Sequence, residues 1–217
     1  MPCIMCFGDS NTHGTRAMRF WGDRRRHPRG LRWPDIMAQA LGADWDVIAE
    51  GHPGRTAVFA DPIEGSHKNG QLALPVLLES HRPLDLVIVM LGTNDLKARF
   101  GASATDVALG IERLVAEISG SDAGPDGTAP AVLIAAPAQV QETGIFKEIF
   151  AGAREKSQAL PAILALIAER TGAGFEDAGL AAEVDPVDGI HLSAEAHAAI
   201  GLAMATAVRR KLETERE

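Results

Sequence analysis

The chain has 217 residues, 46% hydrophobic and 23% charged, which fits one well-packed domain over 1–217 and excludes a low-complexity or disordered chain. Its formal net charge of −8 argues against general affinity for nucleic acid. No apolar run approaches the roughly 20 residues of a membrane span, and Met1-Pro2-Cys3 lacks the basic and apolar regions of a signal peptide, so a cytoplasmic protein without membrane contact is expected.

The first element is a buried strand. Ile4, Met5, Cys6 and Phe7 form an apolar run too short for a helix, and Gly8 breaks it just before Asp9-Ser10-Asn11. A hydroxyl at the C-terminal end of such a strand sits where open α/β sheets put their ligands, and a following helix can aim its first N–H groups at developing negative charge. Ser10 is thus a candidate nucleophile; ordinary strand-to-helix capping by Asp9, Ser10 and Asn11 is the alternative. Cys3 and Cys6 form a CxxC, but residues three apart on a strand face opposite ways and no second cysteine pair exists. They read as structural thiols rather than a redox or metal pair.

Thr15 to Trp33 has no sustained period and reads as a long loop near Ser10. It carries Arg16, Arg19, Arg24, Arg25, Arg26, Arg29 and Arg32, open to anion binding, to a subunit contact or to simple solvation. Phe20, Trp21 and Trp33 are candidates for the wall of an apolar pocket. Pro34 to Leu41 follows helical spacing and stops at Gly42. Asp46 to Ala49 is a second strand, leaving through Glu50-Gly51-His52-Pro53-Gly54-Arg55-Thr56, a glycine-punctuated loop. In a parallel sheet this loop emerges beside Ser10, so a backbone N–H near Gly54 can face the same crevice, or the glycines serve only a turn.

A helix is expected from about Gln71 to His81, closed by Arg82-Pro83. Leu84 to Leu91 is the most apolar run and must be the central strand. It ends in Gly92-Thr93-Asn94-Asp95, where the Asn94 amide is a donor suited to an oxyanion. Thr105 to Ser119 reads as a helix, Gly120 to Pro130 as a surface loop, and Ala131 to Ala136 as the next strand. Ile145, Phe146, Ile149 and Phe150 have helical spacing and fit core packing better than a wall of the site. A helix to about Arg170 and a short strand near Phe175 complete the α/β alternation.

Asp185 to Leu192 then precedes a C-terminal helix reaching about Leu212. Asp188 and His191, three apart in a loop, can face each other, so that the carboxylate orients the ring and leaves the other nitrogen as a base. A serine hydroxyl needs such a base, and the order Ser, Asp, His supplies it. Capping is the bland reading of the same pair. A metal site on Asp188, His191 and Glu195 is weakly suggested, and His197 reads as a surface or partly buried helix histidine rather than a ligand.

Gly8-Asp9-Ser10, Gly54, Gly92-Thr93-Asn94-Asp95 and Asp188-Gly189-Ile190-His191 resemble the four ordered blocks of the SGNH, or GDSL-type, hydrolases, over residues 4 to 191. CFGDS, DLVIVMLGTND and VDGIH are especially similar to the branch of bacterial arylesterases and acyltransferring esterases. The resemblance implies a flavodoxin-like three-layer α/β/α sandwich on a parallel sheet of about five strands. It implies Ser10 as nucleophile, His191 as base and acid, Asp188 as its orienter, and an oxyanion hole from the Ser10 and Gly54 N–H groups and the Asn94 amide. No metal or organic cofactor is implied; a homo-oligomer and a small-molecule ester substrate are. The expected activity is hydrolysis of short-chain acyl or aryl esters, with acyl transfer to alcohols as a further outcome. A thioesterase or lysophospholipase, a carbohydrate acetylesterase, and a non-catalytic flavodoxin-like binding module are the alternatives. Asn11 stands where the family pattern usually has Leu, His52-Pro53-Gly54 replaces a run of smaller residues, and the arginine-rich loop also departs from the pattern.

Overall fold

The computed structural model describes residues 1–214. Apolar runs bounded by glycine, proline and polar clusters become the strands β1 (Cys3–Gly8), β2 (Asp46–Gly51), β3 (Leu86–Met90), β4 (Ala131–Ala136) and β5 (Gly174–Asp177). They pair in the order β2-β1-β3-β4-β5, and every neighbouring pair is parallel. The helices between them are α1 (Ser10–His13), α2 (Trp33–Leu41), α3 (Gly70–His81), α4 (Ala104–Ser119), α5 (Ala153–Thr171), α6 (Ala178–Ala181) and α7 (Ala194–Thr214). This is the three-layer, flavodoxin-like α/β architecture with five parallel strands.

Side chains alternate across a strand, so each central strand feeds two cores. Met5, Phe7, Val87, Val89, Val132 and Ile134 share one with Leu74 of α3, Ile111 of α4 and Leu164 of α5. Ile4, Cys6, Leu86, Ile88 and Leu133 share the other with Met37 of α2 and Ile200, Met204 and Val208 of α7. Cys3 packs toward the first core and Cys6 lies in the second, as the strand period requires. Both thiols are free; burial raises the Cys3 pKa to about 11 and that of Cys6 further. Residues opposite one another near the strand ends are Phe7 and Glu50, and Gly8 and Met90, so the exits of β1, β2 and β3 lie on one edge.

Three expectations change. β2 continues through Glu50 and Gly51, because β1 still has Phe7 and Gly8 to pair with them. Trp33 is a core residue rather than a pocket wall: with Met37 and Leu41 it forms one buried stripe of α2. His197 is fully buried and sits on the same stripe of α7 as Ile200, Met204 and Val208. Its Nδ1 accepts the Trp33 N–H at 3.2 Å, satisfying an amide at the start of α2, and burial pushes its pKa down to about 3.

Candidate active site

Strand exits and one late loop build the site. After β1, Asp9 caps α1 by accepting the Asn11 N–H on Oδ1 at 2.9 Å, which makes Ser10 the first helical residue. Ser10 is 5% exposed.

The β2 exit is tied to the β1 exit by the His52 N–H, which donates to the Gly8 carbonyl at 3.0 Å. Gly54 has φ +81°, a left-handed conformation that favours glycine; a Cβ there would lie 2.7 Å from Glu64 Oε2, the movable end of a side chain. The next residue, Arg55, is buried: Nη1 donates to the Gly8 carbonyl at 2.8 Å and to the Glu50 carbonyl, and the guanidinium lies 4.3 Å from the Phe7 ring centre. It thus ties the last carbonyl of β1 to the penultimate one of β2. Burial pushes its pKa down to about 10.

At the β3 exit, Asn94 opens a short 3-10 turn, Asn94–Leu96, and its Nδ2 donates to Asp9 Oδ2 at 3.2 Å. Asp95 Oδ1 accepts the Ala57 N–H at 2.8 Å, so the third exit loop also holds the second. Burial raises the Asp95 pKa to about 7 and raises that of Asp9, in the latter case against the pull of the Asn11 N–H and nearby cations.

The fourth part is the loop before α7. Asp188 accepts the Ile190 and His191 N–H groups on Oδ1, both at 3.0 Å, and the Met18 N–H on Oδ2 at 2.7 Å. His191 Nδ1 lies 2.6 Å from the same Oδ2. Burial opposes charge on Asp188, yet the His191 ring and these amides hold its pKa below the ordinary carboxylate range. Gly189 has φ +74°, and a Cβ there would come within 1.8 Å of the Gln141 carbonyl oxygen. From α1, Asn11 Nδ2 donates to the Ile190 carbonyl at 3.0 Å and Oδ1 accepts the Leu192 N–H at 3.2 Å.

Ser10, Gly54, Asn94 and His191 line one cavity of about 390 Å³, with Asp188 buried behind the histidine. Trp21, Phe146 and Phe150 form an aromatic wall; Trp21 and Phe146 meet edge to face at 5.4 Å, and Phe146 lies 5.9 Å from the His191 ring. Of the loop aromatics Trp21 lines the cavity, whereas Phe20 does not and Trp33 is in the core. Phe146, Ile149 and Phe150 pack on the core and line the cavity as well, so both readings of that segment hold for these three.

Glu64, Lys97 and Arg99 give the cavity an ionic wall: Lys97 Nζ lies 2.6 Å from Glu64 Oε1, and Arg99 Nη2 lies 2.5 Å from Glu64 Oε1 and from Asp61 Oδ2 behind it. Burial opposes the two carboxylates, but these cations hold both pKa values below the ordinary range. Sequence reasoning missed this cluster, Arg55 and the Asp9–Asn94 bond. Glu195 accepts the Ser193 hydroxyl at 2.8 Å instead of joining Asp188 and His191. Among the described residues, no group of three or more His, Cys, Asp or Glu is arranged to hold a metal ion.

The sheet order, with this cavity at the C-terminal ends of its strands, defines an SGNH-type hydrolase fold. The chain belongs to the GDSL-like lipase/acylhydrolase family, whose model matches residues 6–199. It is similar to Est24, a carbohydrate acetylesterase from Sinorhizobium meliloti, with 36% identity and TM-score 0.93 over 97% of this chain and 99% of that one. It is also similar to the aryl esterase of M. smegmatis, with 38% identity and TM-score 0.92 over 97% and 99%. A G-D-S-L family lipolytic protein from Veillonella parvula, 16% identical with TM-score 0.68 over 97% and 100%, shares the fold. No curated protein matches the sequence. The family and these neighbours make the chain a carboxylic ester hydrolase, which removes the binding-module alternative.

Proposed function

We propose that the chain is a single-domain serine esterase that cleaves short-chain acyl or aryl esters through an acyl-enzyme on Ser10. The observation that carries this reading is the 2.6 Å contact between Asp188 Oδ2 and His191 Nδ1, made where His191 and Ser10 line one cavity. Nδ1 engaged by a carboxylate leaves Nε2 as the basic nitrogen. Nε2 takes the Ser10 proton as Oγ attacks the ester carbonyl, and the tetrahedral oxyanion is met by the Ser10 and Gly54 N–H groups and the second amide hydrogen of Asn94. Collapse breaks the bond to the alcohol oxygen, which leaves with the proton held by His191. Water, or an acceptor alcohol, then gives its proton to Nε2 and attacks the acyl-enzyme, releasing acid or a new ester and restoring Ser10.

The aromatic wall and modest cavity support small acyl or aryl groups. The ionic wall favours an alcohol part that bears hydroxyls, which supports an acetylated carbohydrate as the second reading, in line with the acetylesterase neighbour. Long acyl chains of lysophospholipids or acyl-CoA fit the same chemistry and rank third. Exposed Phe20, Trp21 and Ile63 support a homo-oligomer in which a second copy covers them.

The test is intact-mass detection of a fluorophosphonate adduct on wild type and Ser10→Ala, with hydrolysis of p-nitrophenyl acetate and octanoate. Labelling of wild type alone with faster acetate turnover is expected. Faster octanoate turnover moves the assignment to long acyl chains, and a folded wild type that is neither labelled nor active overturns it.

A further inference from the structure

Asn11 is a buried polar side chain. It is 5% exposed and follows Ser10 in α1, yet its amide contacts the chain on both sides of His191. The donor end meets the Ile190 carbonyl at 3.0 Å and the acceptor end meets the Leu192 N–H at 3.2 Å, 179 and 181 residues away in sequence. Burying an amide is costly unless both ends are paired, and here both are. Ile190 and Leu192 are themselves buried, at 3% and 1% exposure, so the amide satisfies two backbone groups that water reaches poorly.

We propose that Asn11 is a positioning residue that locks the His191 loop to the helix carrying Ser10, so that nucleophile and base are held as one rigid unit. This rests on the reading of Ser10 and His191 as a catalytic pair. Asp188 fixes the orientation of the ring and pins the amides of Ile190 and His191, but its contacts lie within its own loop and with Met18. Asn11 supplies the complementary constraint, the distance and angle between that loop and α1. A leucine here would fill similar volume, make neither bond, and leave the Ile190 carbonyl and the Leu192 N–H in search of partners. The loop would then settle by a fraction of an ångström, which is enough to misalign a proton transfer.

The test compares Asn11→Leu with Ile111→Ala, a core change in α4 that serves as a stability control. For each, kcat and KM on p-nitrophenyl acetate, the rate of fluorophosphonate labelling at Ser10, the melting temperature and the low-field proton resonance of the His191 ring are measured. Asn11→Leu is expected to lower kcat and the labelling rate by roughly 10- to 100-fold with KM changed about twofold or less, and to shift or broaden the low-field resonance. Ile111→Ala should lose stability without these changes. A folded Asn11→Leu with wild-type kcat and labelling overturns the proposal, as does an equal kcat loss in Ile111→Ala. If wild type itself is not labelled at Ser10, the serine-esterase reading has failed separately. In that case, or if Asn11→Leu does not fold, hydrogen exchange of the Leu192 amide in wild type decides: protection matching the β1 amides supports the lock, and exchange at the rate of an exposed loop refutes it.

Discussion

The side-chain amide of Asn94 donates to Asp9 Oδ2 at 3.2 Å, joining the exits of β3 and β1 across 85 residues. That bond uses one amide hydrogen and aims the other. Removing the donor in Asn94→Ala should lower kcat on p-nitrophenyl acetate by about 10²- to 10³-fold. Asp9→Ala, which keeps the donor but frees its rotation and uncaps α1, should cost on the order of 10-fold in kcat. Steady-state kinetics on both variants check the order of these effects.

Asp188 accepts from three backbone amides and lies against the His191 ring, so it holds both the loop and the imidazole. Asp188→Asn can accept on one atom only and presents an N–H to the remaining donors. The expected loss in kcat is roughly 10⁴-fold, with the ring turned to the wrong tautomer. Retention of more than about a tenth of wild-type kcat in a folded variant would count against the assigned role.

Asp95 gives a stability prediction with a definite sign. Its pKa is raised in the folded protein to about 7, so the folded state binds this proton more tightly than the unfolded chain does. The resulting stabilisation is fully present below the ordinary carboxylate pKa and is lost as pH rises through about 7. Asp95→Asn keeps an acceptor for the Ala57 N–H and removes the titration. The melting-temperature difference, variant minus wild type, should therefore grow in the variant's favour between pH 4 and pH 8, by roughly several degrees. A flat difference across that range defeats the prediction.

Arg55→Ala strips two strand-end carbonyls of their shared donor and empties the space over Phe7. A loss of roughly 2–4 kcal/mol is expected in urea unfolding. Because the same side chain holds the loops bearing Ser10 and Gly54, kcat should fall in the surviving folded fraction as well.

Much of the frame was readable because it is local. Ile4 to Phe7 and the run from Leu84 to Leu91 announce buried parallel strands, and the glycines after them mark the exits that carry Ser10 and Asn94. What stayed hidden depends on distance in sequence. Nothing near Asp9 says that its second oxygen will meet Asn94, and nothing near Asn11 says that its amide will bracket His191. Residue type misled at Trp33 and His197. An aromatic in an arginine-rich loop suggests a pocket and a histidine on a helix suggests a surface, yet the stripes Trp33-Met37-Leu41 and His197-Ile200-Met204 place both inside. The ionic wall was invisible for a different reason: Asp61, Glu64, Lys97 and Arg99 look like ordinary solvated charges until two loops bring them together.

The second core has a consequence for the order of events during synthesis. Ile4 and Cys6 of β1 share it with Met37 of α2 and with Ile200, Met204 and Val208 of α7, so the cover on one face of the strand leading to Ser10 is completed only by nearly the last described residues. While the chain is being made, α3, α4 and α5 can cover the opposite face in turn, whereas on this one α2 gives partial cover early and the rest waits for α7. His191 arrives just ahead of that helix. On the proposed triad, a chain broken off between Ser10 and His191 would have the serine without its partner histidine and would lack α7 over this core.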